Sequence, residues 1–156
     1  MNQLLQYPFD ASVILRKRKL IKKDVQGSQS SFIKKKIAIL GGSTTHDIKE
    51  ILELFLLDHG IQPEFFESGY GQFWQTAMFD PAEFLAFSPD VIYIHTCNRN
   101  IQTFPEMSCS EEEIDQLLDR EFQYFHTMWE HLKETYHCPI IQNNFDIPVV
   151  FDTNVN

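Results

Sequence analysis

Two four-residue runs, Ile37–Leu40 (IAIL) and Val91–Ile94 (VIYI), are apolar at every position. A strand with one wet face alternates apolar and polar residues, so unbroken runs of this length read as strands covered on both faces. Between them, Ile48, Ile51, Leu52, Phe55 and Leu56 recur at helical spacing over about residues 45–59, and Gly60 stands where a helix ends. The same alternation continues. Strands are expected at 36–40, 62–67, 90–95 and 139–142, with a short helix from Pro81 between the second and third. A long helix over 111–136 opens on Ser110 and Glu113, the two halves of a capping box. Strands separated by helices predict a parallel sheet with helices on both faces, an α/β three-layer α/β/α sandwich. The stretch SGYGQFWQTAMFD reads as a segment rich in glycine and aromatics, NRNIQTFPEMS as a loop, and the tail holds one further strand candidate at 149–151.

Charge divides the chain at its start. Residues 1–36 hold nine of the 13 Lys and Arg against two acids, a net of +7; the rest holds four bases and 20 acids, a net of −16. Residues 1–31 are therefore expected to form a basic arm, with a helix over SVILRKRKLIKKDV capped by Asp10 or Ser12 and a polar linker QGSQSS, ahead of a domain at 32–156. The arm lacks interleaved aromatics for stacking bases and the body would repel phosphates, so a clasp onto the acidic body is preferred to nucleic acid. The 14 Phe and 43% apolar content exclude disorder. No run approaches the ~20 apolar residues of a membrane span, and MNQLLQYPFDASV lacks a secretory pattern, so the expected location is the cytoplasm. Cys97, Cys109 and Cys138 have no metal-type spacing and read as free thiols.

In such a sheet, ligands bind outside the carboxyl ends of the strands. Four polar clusters fall there: GGSTT after the first strand, ESGYGQ after the second, HTCNRN after the third and QNN after the fourth. For Gly41-Gly42-Ser43 three readings stay open: Ser43 as a nucleophile beside oxyanion-binding N–H groups, a turn that holds a phosphate or carboxylate, or Ser43 or Thr44 as a mere N-cap. The spacing fits neither a P-loop nor GxGxxG. Arg99 is a candidate anion clamp, Asn143 and Asn144 are candidate pocket liners, and Gly42 and Thr44 belong to the same edge. His95 is the histidine placed to reach Ser43 as a base; a hydrogen-bonded structural histidine is the alternative. No histidine pair makes a metal site, since His126 and His131 are five residues apart.

KIAILGGSTT, EILELFLLDHGI, FFESGYGQFWQ, PDVIYIHTCNRNI with FP shortly after, and QNNF together resemble the N-terminal domain of FkbH-type proteins, as does the opening YPFD…ILRKRKLIKK. The resemblance implies a flavodoxin-like, SGNH-hydrolase-like fold in a HAD-like group associated with glyceryl transfer onto acyl carrier proteins. It matches Ser43 to the nucleophile position, Gly71 to a backbone oxyanion donor and Asn98 to the asparagine donor. The chain departs from that pattern in three places. Gly-Asp-Ser is replaced by Gly41-Gly42-Ser43, no Gly precedes the Asn98 block in the usual place, and no Asp-x-x-His occurs. The family's HAD domain, whose Asp-x-Asp strand binds magnesium, is expected to be absent, because VVFDTNVN carries no second Asp in register. No cofactor is expected in this chain. The expected role is a module that binds a small acyl or phosphorylated ligand, or an acyl carrier protein, and assists a HAD domain. The alternative is an active serine acyltransferase or esterase with Ser43 as nucleophile.

Overall fold

The computed structural model describes residues 2–28 and 30–145. Its order is α1 (Ala11–Ser28), β1 (Ile33–Gly41), α2 (His46–Asp58), β2 (Ile61–Glu67), α3 (Phe73–Phe79), α4 (Ala82–Phe87), β3 (Val91–His95), α5 (Glu111–Tyr136) and β4 (Ile140–Gln142), with short 3₁₀ turns at Gln3–Leu5 and Asn98–Asn100. The strands form one parallel sheet in the order β2-β1-β3-β4, flanked by helices as a three-layer α/β/α sandwich. The strand candidate at 149–151 lies outside the described residues.

The apolar runs occupy the middle of this sheet. Ala38, Ile39 and Leu40 of β1 and Ile92 and Ile94 of β3 are fully buried. One face packs Ala38, Leu40, Ile92 and Ile94 beneath Phe73, Ala77, Phe84, Phe125, Met128 and Leu132 of α3, α4 and α5. A second cluster joins Ile14, Ile21 and Val25 of α1 to Leu54 and Leu57 of α2, with Leu5 beside them. These three α1 residues recur at helical spacing, so the basic helix has one apolar face, and that face is spent on α2. Its charges serve the same contact: Arg18 Nε lies 2.6 Å from Glu50 and Lys22 Nζ 2.8 Å from Glu53. Asp10 caps the helix, accepting from the backbone N–H groups of Ser12 and Val13 and from the Ser12 hydroxyl.

Differences from the sequence reading have local causes. β1 begins at Ile33 because Lys34, Lys35 and Lys36 pair in register with Gln62, Pro63 and Glu64 of β2. Pro81 is the N-cap of α4, with ψ 141°, and not its first helical residue. The glycine- and aromatic-rich segment contains α3, whose Phe73, Thr76 and Ala77 turn into the core. The capping box of α5 is as expected: Ser110 Oγ accepts from Glu113 N, while the Glu113 carboxylate accepts from Ser110 N at 2.7 Å. No described helix is long and apolar enough to cross a membrane.

At the amino end of the sheet, Asp90 clamps β1 to the start of β3. Its carboxylate accepts from Lys36 N at 2.8 Å and from Lys35 Nζ at 2.9 Å. The Lys36 N–H foremost, then the Lys35 ammonium, hold its pKa below the ordinary carboxylate value. A folded-state pKa below the unfolded one, about 3.9, means stability that is present above pH ~4 and lost as pH falls through the folded value. Asp90→Asn is therefore expected to melt below the wild type at neutral pH, with the gap closing on acidification. Parallel melts from pH 7 to pH 2 check this; a gap that widens in acid contradicts it.

Candidate functional site

β1 and β3 are neighbours, while the chain leaves β1 for β2 on the opposite side. The carboxyl ends of β1 and β3 are thus the point where the connection direction switches, and a crevice opens there in sheets of this kind. Gly41 of β1 is in register with His95 of β3, so GGSTT and HTCNRN emerge side by side. Gly42 N donates to His95 O at 2.7 Å, extending the ladder by one bond. Gly41 N donates to Ser68 Oγ at 3.0 Å and Ser68 N to Ile39 O at 3.0 Å, which draws in the turn after β2.

Asn100 fastens this edge. Its Nδ2 donates to Gly42 O at 3.0 Å and its Oδ1 accepts from Cys97 N at 2.9 Å. The carboxamide lies so close to Gly42 that an added Cβ would stand 2.6 Å from Asn100 Cγ and from Nδ2. Gly42 is required for space, not for backbone freedom, since positive φ among the described glycines falls at Gly60 and Gly71. Sequence reasoning passed over Asn100 in favour of Asn98. The available signal was the spacing Cys97…Asn100, where Asn100 N donates to Cys97 O at 2.9 Å and the Asn100 carboxamide accepts from Cys97 N.

Ser43 is half-buried on the turn between β1 and α2, and Thr44 beside it is exposed. The N-cap of α2 is neither of them. It is Thr45, and its side chain makes no capping bond; instead Thr45 Oγ1 donates to Glu67 Oε2 at 3.2 Å, and Lys49 pairs with the same carboxylate. The first-turn N–H groups of α2 are thus left uncapped by the Thr45 side chain. Asn98 opens the 3₁₀ turn, half-buried, and Arg99 follows it, exposed. Among the described residues no hydrogen bond joins Ser43 to Asn98 or to His95. Gly71 is exposed in the turn after β2 with φ 67°.

His95 Nδ1 lies 3.2 Å from the Tyr93 hydroxyl. Burial pushes the Tyr93 phenol up, which keeps it protonated. With Tyr93 donating, the lone pair of neutral His95 is occupied and Nε2 carries the hydrogen. In the opposite tautomer Nε2 keeps its lone pair, yet among the described residues no hydrogen bond links it to Ser43. Asn143 is committed elsewhere: its Oδ1 accepts from Thr96 N at 2.8 Å and its Nδ2 donates to Thr96 O at 2.7 Å. Buried Thr96 also accepts from Gln142 Nε2, and Gln142 Oε1 accepts from Trp129 Nε1 at 2.7 Å, so the β3 tip is bolted to β4 and α5. Asn144 is exposed.

His131 of α5 faces Asp80. His131 Nε2 lies 2.7 Å from Asp80 Oδ2, and Tyr136 OH donates to Asp80 Oδ1 at 3.3 Å. Burial first, then Asp80, pushes the Tyr136 phenol well above its usual range. No group of three or more His, Cys, Asp or Glu among the described residues is arranged to hold a metal ion. Cys97, Cys109 and Cys138 are free thiols.

No protein-family model and no curated protein matches this chain. A solved structure that does match is the N-terminal part of the protein BF1531 from Bacteroides fragilis, containing a phosphatase domain and complexed with Mg. The superposition has a TM-score of 0.64 at 18% identity and covers 87% of this chain but 35% of that one. This chain is therefore similar in fold to a part, about a third, of the Bacteroides structure.

Proposed function

We propose that this chain is a ligand-holding module of the kind found at the N-terminus of FkbH-type proteins, and that it binds without hydrolysing. Its ligand is a small acyl or phosphorylated molecule, free or carried on an acyl carrier protein, and its partner is a HAD-type domain that performs the transfer or phosphatase step. The observation that carries this reading is the Ser43 turn at the switch point. Its Gly42 is hydrogen-bonded to His95 O and to Asn100, it leads into a helix whose N-cap side chain makes no capping bond, and Arg99 lies on the adjoining loop, yet among the described residues no hydrogen bond joins a histidine to Ser43. Such an edge offers donors to an anion. A serine hydroxyl without an adjacent base is a poor nucleophile at neutral pH.

Acetyl phosphate combines both ligand chemistries and is the probe of choice. Titration into the ¹⁵N-labelled protein is expected to shift the amides of Gly42, Ser43, Thr44 and Arg99, while ³¹P signals show no faster breakdown than in buffer. Absence of shifts at those amides rejects the binding site. Ser43-dependent breakdown, or labelling of Ser43 by a fluorophosphonate, would instead establish the serine acyltransferase or esterase.

A further inference from the structure

A groove of about 340 Å³ runs between α5 and the loop that follows Asn98–Asn100. Its lining includes Ile101, Phe104, Leu118, Phe122, Trp129 and Phe145. Glu121 ties the loop to the helix along this groove, its Oε1 accepting from Gln102 N at 3.1 Å and Thr103 N at 3.0 Å. Three of the lining aromatics and aliphatics face solvent: Phe104 is 51%, Leu118 62% and Phe122 52% exposed. Grouped exposed apolar side chains of this kind are what a docking partner would cover.

The charges beside it select the occupant. Ile114, Leu118 and Phe122 form an apolar stripe at i, i+4 and i+8; Glu111, Asp115 and Asp119 form an exposed acidic stripe at the same spacing, one residue over. Glu106, exposed, adds a further acid on the loop, and no Lys or Arg lines the groove. A second copy docked face to face would set these stripes against each other, and an anionic lipid surface would be repelled. The lining residues Ile114 to Trp129 span about 22 Å of α5, some four turns, which suits a helix laid into the groove.

We propose that this groove binds a cationic amphipathic helix of another protein, its apolar residues seated over Leu118 and Phe122 and its Lys or Arg side chains reaching Glu111, Asp115 and Asp119. The groove adjoins the strand-tip edge at Ile101, but Gly42, Ser43, Thr44 and Arg99 are not among its lining residues, and the proposal does not depend on a ligand at those residues.

The test is fluorescence anisotropy with a labelled Leu/Lys amphipathic peptide of about 18 residues and its Leu/Glu counterpart of identical spacing. The Leu/Lys peptide is expected to bind the full chain and the Leu/Glu peptide not to. Leu118→Ser with Phe122→Ser should weaken binding about tenfold or more. Asp115→Asn with Asp119→Asn should weaken it and flatten its salt dependence. All four positions are exposed, so thermal melts should show the variants folded. Binding that survives loss of Leu118 and Phe122 would reduce the effect to bulk charge and overturn the proposal. Equal binding of the Leu/Glu peptide, or of neither peptide, overturns it as well. Self-association in sedimentation that Phe122→Ser abolishes would assign the groove to a second copy instead.

Discussion

Phe84→Ala is expected to be the most damaging single truncation in this chain, at about 3–5 kcal/mol. Phe84 is wholly buried and is the one buried residue of the six-residue α4. A helix that short has no independent stability, so its docking depends on this ring. The ring stacks on Phe66 of β2 at 4.8 Å between centroids and meets Tyr136 of α5 at 4.4 Å. It therefore joins three elements, and removing it leaves a cavity bordered by rigid strands on one side that cannot close in. At about 2–4 °C per kcal/mol for a chain of this size, the melting temperature should fall by roughly 10 °C. Phe84→Leu, which retains most of the volume, should cost much less. Urea unfolding of the two variants checks both values, and hydrogen exchange should show α4 losing protection first. An alanine variant within about 1 kcal/mol of wild type would mean that α4 repacks around the void.

That ring also marks what could and could not be read from the chain. The two apolar runs announced a buried parallel sheet because burial on both faces leaves no polar position in a strand. The long α5 was legible at both of its bounds, since Ser110 and Glu113 encode its start locally. α3 was not legible. Gly69, Gly71 and the exposed Tyr70 precede it, and its helical state rests on tertiary packing, with Phe73 stacked against Phe125 at 6.4 Å. The extension of β1 from Lys36 back to Ile33 was hidden for a similar reason: Lys34 and Lys35 carry no apolar strand signal until β2 supplies their backbone partners. At the strand tips, residue types predicted a polar edge, and a polar edge is present. Which amide does what is a matter of a turn one or two residues long. Asn98 and Asn100 are indistinguishable by composition, and only the 3₁₀ geometry carries Asn100 to Gly42. Asn143 likewise looked available to a ligand but closes on the Thr96 backbone.

The Gly42–Asn100 pair gives the sharpest test of that edge. Gly42→Ala is expected to cost about 2–4 kcal/mol, combining overpacking against the Asn100 carboxamide with loss of one or both of its hydrogen bonds. Asn100→Ala alone should cost about 1–2 kcal/mol, because Gly42 O and Cys97 N lose their partner but are not sealed from water. The two changes are not independent. Once the carboxamide is gone, the methyl group introduced by Gly42→Ala has room, so the double variant should be more stable than the sum of the singles by about 1 kcal/mol or more. A backbone-strain account makes the opposite prediction, since an alanine intolerable for its φ would be as costly in the Asn100→Ala background as in the wild type. The same cycle bears on function. The amides of Gly42, Ser43 and Thr44 owe their placement to the Asn100 clamp, so acetyl phosphate shifts should weaken in Asn100→Ala although the substituted side chain offers nothing to the ligand itself. Additive energies in the cycle would show that Asn100 and Gly42 do not press on each other. Undiminished shifts in Asn100→Ala would show that the Ser43 turn holds its shape without the clamp.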